Sequence, residues 1–489
     1  MSKFRILLLT NRDSDNVGDQ IIEATVISLL KGVMKNLGLA PADYAIRSRA
    51  AGIISKNYLR TGDPALIEGA RAAISDSDVI VFGGAPLFNY SYQNFYLRTI
   101  KTLELAQEYG VPVIFSSIGV EPFDESNPKS VQLRDALQQP CVRQITTRDD
   151  VESVRKYVEG TDIPVAHVSD PAVFADIVFR PKPEPAGPAS PVAAAPASFS
   201  RRVVRRLRRM LGRSPAAASA AVKPGAPVVS SRPSPAATSP VKEGGDDRRR
   251  IGLVVTRAGI FRDNGIAFTE EDQRKFWLDV IDRLEQRGDD YRLFTTGHFS
   301  DEVFLDALIR SRGIPLSKAA VTVNSPEELS NELRSCAGVL AYRLHASITA
   351  FAYGVPSIGL SWNFKVPYFY ESVGLGERAL APEQWTADAA LAALDRAMAE
   401  GVTKDEAFLM SVYETLFTGI KAIAAPDSEA TAYSYAQLRT RLPRYAGTTP
   451  AQYRDKVRRK LRRAYENYQR LSEYHLRAEA DKAAARSRV

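Results

Sequence analysis

The chain has 489 residues, of which 45% are hydrophobic and 25% charged, and its formal net charge is +8. This composition is ordinary for a soluble globular protein, and the length exceeds what one hydrophobic core usually accommodates, so we expect two packed domains. The two cysteines, Cys141 and Cys336, lie far apart in the sequence, which excludes a disulfide framework or a zinc site and favours a reducing compartment.

The positive charge is confined to two segments. Residues 181–250 hold 14 Lys or Arg against 4 Asp or Glu, and residues 451–489 hold 12 against 5. The rest of the chain therefore carries a net charge of −9. An acidic body with two basic appendages predicts contact with an anionic surface, such as a membrane, and does not favour nucleic acid as a partner.

The opening stretch, MSKFRILLLTN, has too short an apolar run for a signal peptide, and no apolar run is long enough to span a bilayer. The sequence therefore predicts a cytoplasmic protein. The basic segments add the hypothesis that it attaches peripherally to the inner face of the membrane.

Strand and helix patterns alternate over residues 1–180, which predicts a Rossmann-like domain with a parallel sheet and helices on both faces. The apolar run Phe4–Thr10 predicts a buried strand, and a helical pattern extends from Gln20 to about Leu37. Further strands are predicted at Asp78–Gly84, Val111–Gly119, Gln144–Asp149 and Val165–Asp170, and further helices at Phe95–Tyr109 and Val151–Val158.

Residues 181–250 interrupt this alternation. They contain 12 of the 29 prolines together with many alanines and serines, which predicts a disordered basic insert. Within it, residues 200–213 place apolar side chains on one helical face and arginines on the others. Two interpretations stay open for this stretch: a solvated basic linker, or an amphipathic helix that lies on anionic lipid.

Alternation resumes over residues 251–395, which predicts a second Rossmann-like domain with strands at Ile251–Val255, Tyr291–Gly297, Ala337–Tyr342 and Pro356–Leu360. Residues 396–489 predict helices only. The last of these carries apolar residues at spacings of 4, 3, 4, 3 and 4, a heptad stripe that predicts a packed helix or a helix pairing two chains into a homodimer. The stripe consists of Val457, Leu461, Ala464, Tyr468, Leu471 and His475.

Polar residues and glycines gather at the predicted carboxyl ends of the strands, where open parallel sheets bind ligands. In the first domain they are Asn16, Gly18, Asp19, Gly83, Gly84, Arg148, Asp149 and Asp170, and in the second they are Arg257, Arg343 and His345. Two domains facing each other would bring these ends to one cleft.

Most of these residues have a structural alternative. Asp19 would serve equally well as a helix cap, and Gly83 with Gly84 would permit a tight turn. For Arg148 and Asp149 we favour a structural ion pair over a catalytic role.

Three other residues are less informative. Asp170 precedes a proline, a pattern typical of turns. His167 alternates within a strand, which favours a place in the core or sheet. His298 follows another strand end, where it would line the cleft, but no sequence neighbour pairs with it.

The motif RLH at Arg343–His345 is the most specific candidate. An arginine and an imidazole precede a helix predicted at Ala346–Tyr353, whose free N–H groups attract anions, and Gly354 ends that helix. The combination suits a small molecule that carries both phosphate and carboxylate. The structural alternative is a buried histidine that caps the helix.

The sequence resembles the polysaccharide pyruvyl transferase family. The matching stretches, in the family's order, are NVGDQIIEATVISLL, VIVFGGAPLF, SSIGVEPF, TTRDDVESV, HVSDPAVF and RLHASITAFAYGVPSIGLSWNFK. They cover about Asn16–Gly374 without the insert. The chain departs from the family by having Ala85-Pro86 where a third glycine is frequent, and by a less glycine-rich SSIGVEP.

The resemblance implies a two-domain fold like that of GT-B glycosyltransferases and transfer of a pyruvyl group from phosphoenolpyruvate onto two hydroxyls of one sugar. The product would be a cyclic ketal, with phosphate released. The acceptor would be a cell-surface polysaccharide or its lipid-linked precursor, and neither a metal nor a nucleotide cofactor would be needed.

The resemblance also assigns roles. Arg257 and Arg343 would hold the donor's anionic groups, with Lys365 as a third cation, and Asn16, Gly18, Gly83, Gly84, Arg148 and Asp170 would line the substrate site. His345 would protonate the enol carbon or the departing phosphate. Asp19 is a first hypothesis for the group that orients or deprotonates the acceptor hydroxyl.

Two alternatives stay open. A GT-B glycosyltransferase that uses a nucleotide sugar would share the helix and Gly-x-Pro element, with Glu371 near the place of a ribose-binding carboxylate. A non-catalytic scaffold at the membrane would use the basic segments and the heptad stripe to recruit partners.

Overall fold

The structure is a computed structural model that describes residues 3–91, 95–180, 249–257 and 259–486. The predicted insert at 181–250 lies outside these residues except for its last two positions, and the predicted amphipathic helix at 200–213 lies outside them entirely. The described chain forms two parallel β-sheets covered by helices, which confirms the predicted α/β class.

The first sheet has six parallel strands in the order β2-β1-β3-β4-β5-β6. Its strands are β1 (Phe4–Thr10), β2 (Tyr44–Ala50), β3 (Val79–Gly83), β4 (Val113–Ile118), β5 (Val142–Thr147) and β6 (Val165–His167). The predicted bounds of β1 are those observed. The edge strand β2 was not predicted, because the run YAIRSRA puts arginines on its outer face and buries none of its residues fully.

The second sheet has five parallel strands in the order β11-β10-β9-β7-β8. Its strands are β7 (Arg250–Val254), β8 (Asp290–Phe294), β9 (Gly338–Ala341), β10 (Ser357–Leu360) and β11 (Ala379–Leu380). Strand β9 pairs with β7 on one side and β10 on the other, so the loop after β9 leaves from the middle of this sheet.

Helices cover both sheets. The α-helices before the insert are Val17–Asn36, Lys56–Thr61, Glu68–Ser75, Tyr96–Glu108, Pro128–Leu137, Val151–Tyr157 and Ala175–Val178. Those after it are Gly259–Arg262, Glu270–Arg287, Phe299–Arg312, Pro326–Arg334, Leu344–Ala352, Lys365–Ser372, Ala387–Glu400, Glu406–Ala424, Tyr435–Arg441 and Pro450–Arg486. Short 3-10 helices lie at Pro64–Leu66, Pro171–Phe174, Leu316–Lys318, Gly376–Arg378 and Pro382–Gln384.

The helix Glu406–Ala424 returns to the first sheet. The Ser169 amide donates to Ser411 Oγ at 3.0 Å, and Gln144 Nε2 donates to the Thr415 carbonyl at 3.1 Å. Among the described residues this helix is the one long and apolar enough to cross a membrane by length and composition. Its apolar face, including Leu416 and Phe417, is buried against the protein's own core.

The heptad stripe of the last helix, Pro450–Arg486, is mostly exposed. Val457 and Ala464 are partly buried, whereas Leu461, Tyr468 and Leu471 are each more than 60% exposed. The face that packs on the protein is a different one, and it contains the buried side chains of Lys456 and Lys460.

Both cysteines are buried and carry free thiols, as the sequence predicts for small apolar packing residues. Burial raises the pKa of Cys141 to about 11 and that of Cys336 to about 12. His167 ends β6, in the sheet as predicted, but it is exposed because β6 is an edge strand.

Candidate active site

A cavity of about 270 Å³ lies where the carboxyl ends of the two sheets face each other. The first domain lines it with residues that follow β1, β3, β4 and β5: Asn11, Ser14, Asn16, Asp19, Pro86, Asn89, Glu121 and Arg148. The second domain lines it with residues that follow β7, β8, β9 and β10: Arg257, Ile260, Asn264, His298, Arg343, Leu344, His345, Trp362, Asn363, Phe364 and Lys365. Parallel strands end at one edge of each sheet, which is why residues far apart in sequence meet here.

The first helix, Val17–Asn36, brings Asn16 against His345. Asn16 is the N-cap of this helix, and its Oδ1 accepts a hydrogen bond from the Gly18 amide at 3.1 Å. Its Nδ2 group therefore faces His345 Nδ1, at 3.2 Å. Because an amide nitrogen only donates, His345 Nδ1 accepts, and the proton of the neutral imidazole lies on Nε2.

Gly18 is required by the close approach of this imidazole. A β-carbon at position 18 would lie 2.3 Å from the His345 Cβ atom and 2.5 Å from its Cγ atom. The glycine thus permits the two domains to approach within contact distance, and we assign it a packing role beside the substrate site.

His345 is held in its neutral form. Burial lowers its pKa to about 4, and the positive charges of Arg148, Lys365 and Arg343 act in the same direction against the opposing charge of Asp19. Its Nε2 atom is inaccessible to solvent and has no hydrogen-bond partner among the described residues. The imidazole therefore keeps an unsatisfied N–H group, and His345 is among the residues that line the cavity.

Arg343 is fixed by a buried carboxylate. Its Nε and Nη2 groups donate to the two oxygens of Asp301, each at 2.7 Å, and the Asp301 side chain is completely buried. The same carboxylate accepts the Arg257 amide at 3.0 Å. This geometry leaves the Arg343 Nη1 group without a bond to any described residue, so it remains available to an anionic ligand.

Arg343 precedes the helix Leu344–Ala352, so Leu344 and His345 are its first helical residues. The sequence instead predicts that Arg343 and His345 lie on extended backbone and point the same way. The helix starts two residues earlier than predicted, and the two side chains reach different neighbours on the rim of one cavity. The His345 side chain does not cap this helix, so that part of the structural alternative is wrong, whereas its burial agrees with that alternative.

Arg257 reaches the cavity from the loop after β7. Its Nη2 group donates to Asp263 Oδ2 at 2.7 Å, and both side chains are about one third exposed. Lys365 begins the helix Lys365–Ser372, which follows β10 of the same sheet. Burial lowers the pKa of Lys365, and the charge of Asp149 opposes this effect.

Arg148 forms a buried ion pair with Asp170 rather than with Asp149. Asp149 instead accepts the Val120 amide at 3.0 Å. Burial opposes the charged form of Arg148, but the surrounding carboxylates outweigh it and raise its pKa. Asp170 also accepts the Ala172 amide at 2.8 Å, so it positions Arg148 at the cavity without lining the cavity itself.

Two carboxylates line the first-domain wall. Asp19 accepts a hydrogen bond from Asn11 Nδ2 at 3.1 Å and is not the cap of its helix, because Asn16 fills that role. Glu121 accepts the backbone amides of Tyr90 and Ser91, each at 3.0 Å. This wall offers hydrogen-bond acceptors together with the Arg148 guanidinium, whereas the facing wall offers the cations Arg257, Arg343 and Lys365.

A family model of polysaccharide pyruvyl transferases matches residues 16–363, which is most of the chain and contains the cavity residues from Asn16 to Asn363. The chain belongs to the polysaccharide pyruvyl transferase family. A comparison with curated protein sequences gives no match.

Solved structures are similar to this chain in fold. A putative UDP-N-acetylglucosamine 2-epimerase from Listeria monocytogenes aligns over 88% of this chain and 100% of its own, with 10% identity and a TM-score of 0.51. A UDP-GlcNAc 2-epimerase from Methanocaldococcus jannaschii covers 85% of this chain and 98% of its own, with 12% identity and a TM-score of 0.45. ADP-heptose heptosyltransferase II from E. coli covers 81% and 99%, with 13% identity and a TM-score of 0.37. The first likeness supports a GT-B-like fold and says nothing of substrate, and the other two TM-scores are too low to add to it.

Two predicted glycines of the pyruvyl transferase motif do not line the cavity. Gly83 ends β3, and Gly84 has a positive φ of 61° at a point where a β-carbon would lie 2.4 Å from Ile22 Cγ2. Both allow the first helix to pack closely on the sheet. Their role in this structure is to permit the tight turn after β3, which is the structural alternative that the sequence analysis gives for them.

Several residues of this site were not predicted from the sequence. Asn11, Glu121 and Trp362 follow strand ends and lie in or beside quoted motifs, so their position was the available signal. Asp301 gave no signal, since it lies 42 residues from the arginine that it binds. His298 does line the cavity, and burial lowers its pKa to about 4.

Proposed function

We propose that this protein transfers the pyruvyl group of phosphoenolpyruvate to two hydroxyls of one sugar, in a cell-surface polysaccharide or its lipid-linked precursor. The products are a cyclic ketal and phosphate. The observation that carries the proposal is the convergence of Arg148, Arg257, Arg343 and Lys365 with a neutral imidazole on one cavity of about 270 Å³. A metal or organic cofactor takes no part in the proposed chemistry.

The cationic wall suits a donor with a phosphate and a carboxylate. The Nη1 group of Arg343 is available, and the Asp301 clamp fixes its direction. Arg257 sits on a solvent-accessible loop where its guanidinium has room to exchange partners with a ligand. Charge-assisted hydrogen bonds in a partly buried site exceed neutral ones in strength, so these groups supply most of the donor affinity.

His345 acts on the phosphate in this proposal. Its Nε2–H group is unsatisfied and the Asn16 amide disfavours a second proton on Nδ1, so a neutral donor role agrees better with the geometry than a permanently charged acid. A hydrogen bond from Nε2 to the phosphate ester oxygen stabilises charge on the leaving group as its bond to C2 breaks.

The reaction balances with two acceptor hydroxyls. The enol carbon gains one proton and C2 becomes electrophilic, the first hydroxyl oxygen bonds to C2 and loses its proton, and phosphate leaves with the C2–O electron pair. The second hydroxyl then bonds to C2 and its proton is released. Asp19 faces the cavity from the first-domain wall, across from Arg257, Arg343 and Lys365, so it is the proposed group that orients or deprotonates the first hydroxyl.

The test is release of inorganic phosphate from phosphoenolpyruvate in the presence of a sugar acceptor, compared with nucleotide release from UDP- or GDP-sugars. Only the former supports the proposal, and nucleotide release would replace it with a glycosyltransferase. Glu371, the carboxylate that such an enzyme would use, is exposed and does not line the cavity. Mass spectrometry of the surface glycan with and without the protein should then show the mass of one pyruvyl ketal.

A membrane-proximal location fits a lipid-linked acceptor. It rests on the basic segment at 200–213 and the net positive charge of the tail. Deletion of residues 198–214 should reduce sedimentation with anionic vesicles and leave turnover of a soluble acceptor unchanged. Vesicle binding that survives the deletion would contradict this location.

A homodimer through the exposed heptad stripe is the accompanying proposal for the last helix. Leu461 and Leu471 are 65% and 61% exposed in the single chain, and a second copy would cover them. Leu461→Glu combined with Leu471→Glu should halve the mass measured by light scattering. A parent protein that is monomeric at micromolar concentration would contradict it.

A further inference from the structure

The last helix, Pro450–Arg486, starts with two lysines that are almost completely buried. Lys456 is 1% exposed and Lys460 is 7% exposed. Buried lysines are rare because the ammonium group must be fully compensated by hydrogen bonds or charges. These two lie outside the matched family segment and play no part in the proposed chemistry, so their partners indicate another role.

Lys456 binds the loop that leads into the first helix. Its Nζ group donates to the Ser14 carbonyl at 3.3 Å and also to the Asp15 carbonyl. About two helical turns further on, Arg463 Nη1 donates to Asp15 Oδ2 at 2.5 Å, and that carboxylate is otherwise buried. The next residue in this loop is Asn16, which holds the imidazole of the cavity.

Lys460 binds the second domain. Its Nζ group donates to Glu302 Oε1 at 2.6 Å, to Asn324 Oδ1 at 2.7 Å and to the Val323 carbonyl at 3.1 Å. Glu302 follows Asp301, the carboxylate that clamps the arginine of the RLH motif. A single turn of the last helix thus contacts the segment beside each wall of the cavity.

The two walls also meet directly at this point. The Val17 amide, at the start of the first helix, donates to the Thr296 carbonyl of the second domain at 2.7 Å. This bond lies one residue from Asn16 on one side and two residues from His298 on the other. The protection of the Val17 amide against hydrogen exchange therefore reports whether the two walls keep this contact.

We propose that the segment Tyr453–Arg463 is a positioning element of the active site: Lys456 and Arg463 fix the loop before Asn16, and Lys460 fixes the segment around Asp301. The two contacts set the distance between Asn16 on the first-domain wall and the Asp301–Arg343 clamp on the second-domain wall. The inference rests on the proposed function for its catalytic meaning, but the positioning itself is measurable without substrate.

The experiment compares the parent protein with three single variants: Lys456→Met, Arg463→Gln and Arg462→Gln. Arg462 is the matched control, since it is exposed and has no contact to a described residue. Amide exchange at Val17 should accelerate about 10- to 100-fold in K456M and about 2- to 5-fold in R463Q, with no change in R462Q. The Nε2 and Cε1 resonances of His345 should move in the same two variants.

Uniform acceleration of all amides, including those of the central strand β3, would show a merely structural role and overturn the proposal. An unchanged Val17 amide in both variants would overturn it as well. In the turnover assay, R463Q should raise the KM for phosphoenolpyruvate more than it lowers kcat. A parent that releases no phosphate would refute the proposed function, whereas the exchange measurement would still decide the positioning role.

Discussion

The Asn16→Asp substitution gives the sharpest test of the site. It is isosteric, so one carboxylate oxygen still accepts the Gly18 amide and the other replaces the amide nitrogen 3.2 Å from His345 Nδ1. An acceptor in that place favours a proton on Nδ1, whereas the native amide opposes it.

The expected change follows from the charge and the hydrogen bond together. In the native protein burial lowers the pKa of His345 to about 4. A carboxylate in contact typically raises the pKa of a cationic group by about 1 to 3 pH units, so the variant's imidazole should titrate at about 5 to 7. The neutral imidazole would then become charged across an accessible range of pH.

The assay is a pH titration of the imidazole Cε1–H resonances by NMR, in a chain that has only four histidines. The His345 signal is identified by its loss in His345→Gln, and the exposed His475 is the internal control. A His345 pKa that stays near 4 in N16D would refute the assignment of the Asn16 amide as the group that fixes the tautomer.

Three further variants test the packing and charge of the site. Gly18→Ala places a β-carbon 2.3 Å from the His345 Cβ atom, so it should cost about 1 to 3 kcal/mol in urea unfolding and lower turnover. Gly69→Ala, with no atom within 4 Å, should be neutral or stabilise by up to about 1 kcal/mol. Asp301→Asn removes the charge of a completely buried carboxylate, so it should lower the free energy of unfolding by about 3 to 5 kcal/mol and raise the KM for phosphoenolpyruvate. Asp263→Asn changes the more exposed pair with Arg257 and should lower the free energy of unfolding by at most about 1 kcal/mol. Equal losses in the two variants would contradict the burial argument. Burial lowers the pKa of Lys456 to about 7, so between about pH 7 and about 10.4 the unfolded chain holds a proton that the folded protein lacks. The free energy of unfolding should therefore rise with pH by up to about 5 kcal/mol. Lys456→Met should lack that part of the rise in denaturant titrations at each pH, and an identical slope would show that the lysine titrates normally.

Local sequence patterns were sufficient for the architecture. Buried parallel strands are apolar throughout, so runs such as Phe4–Thr10 stand out against their helical surroundings. The edge strands were harder to predict, because Tyr44–Ala50 is half exposed and Ala379–Leu380 has only two residues. The strand ends could be located, and the rule that ligands bind there led to Arg343 and His345 before any coordinates.

Ion pairs between residues that are distant in sequence could not be predicted from local patterns. Arg148 has Asp149 beside it in sequence but pairs with Asp170, whereas Asp149 accepts the Val120 amide from the loop after β4. Asp301, which fixes Arg343, lies in a helix with no motif around it. The lysine at 456 belongs to a basic tail whose sequence suggests solvent or membrane contact for all its charges.

The sequence by itself determined two parallel α/β domains, the family and the residues that gather at the strand ends, because strand burial and Gly-rich turns leave local patterns. Only the tertiary structure decided which carboxylate holds each arginine, which nitrogen of His345 carries the proton, and that the last helix contacts both walls. Those outcomes depend on contacts between segments that lie 22 to 441 residues apart in the sequence, and such contacts are set by the packing of whole elements and domains.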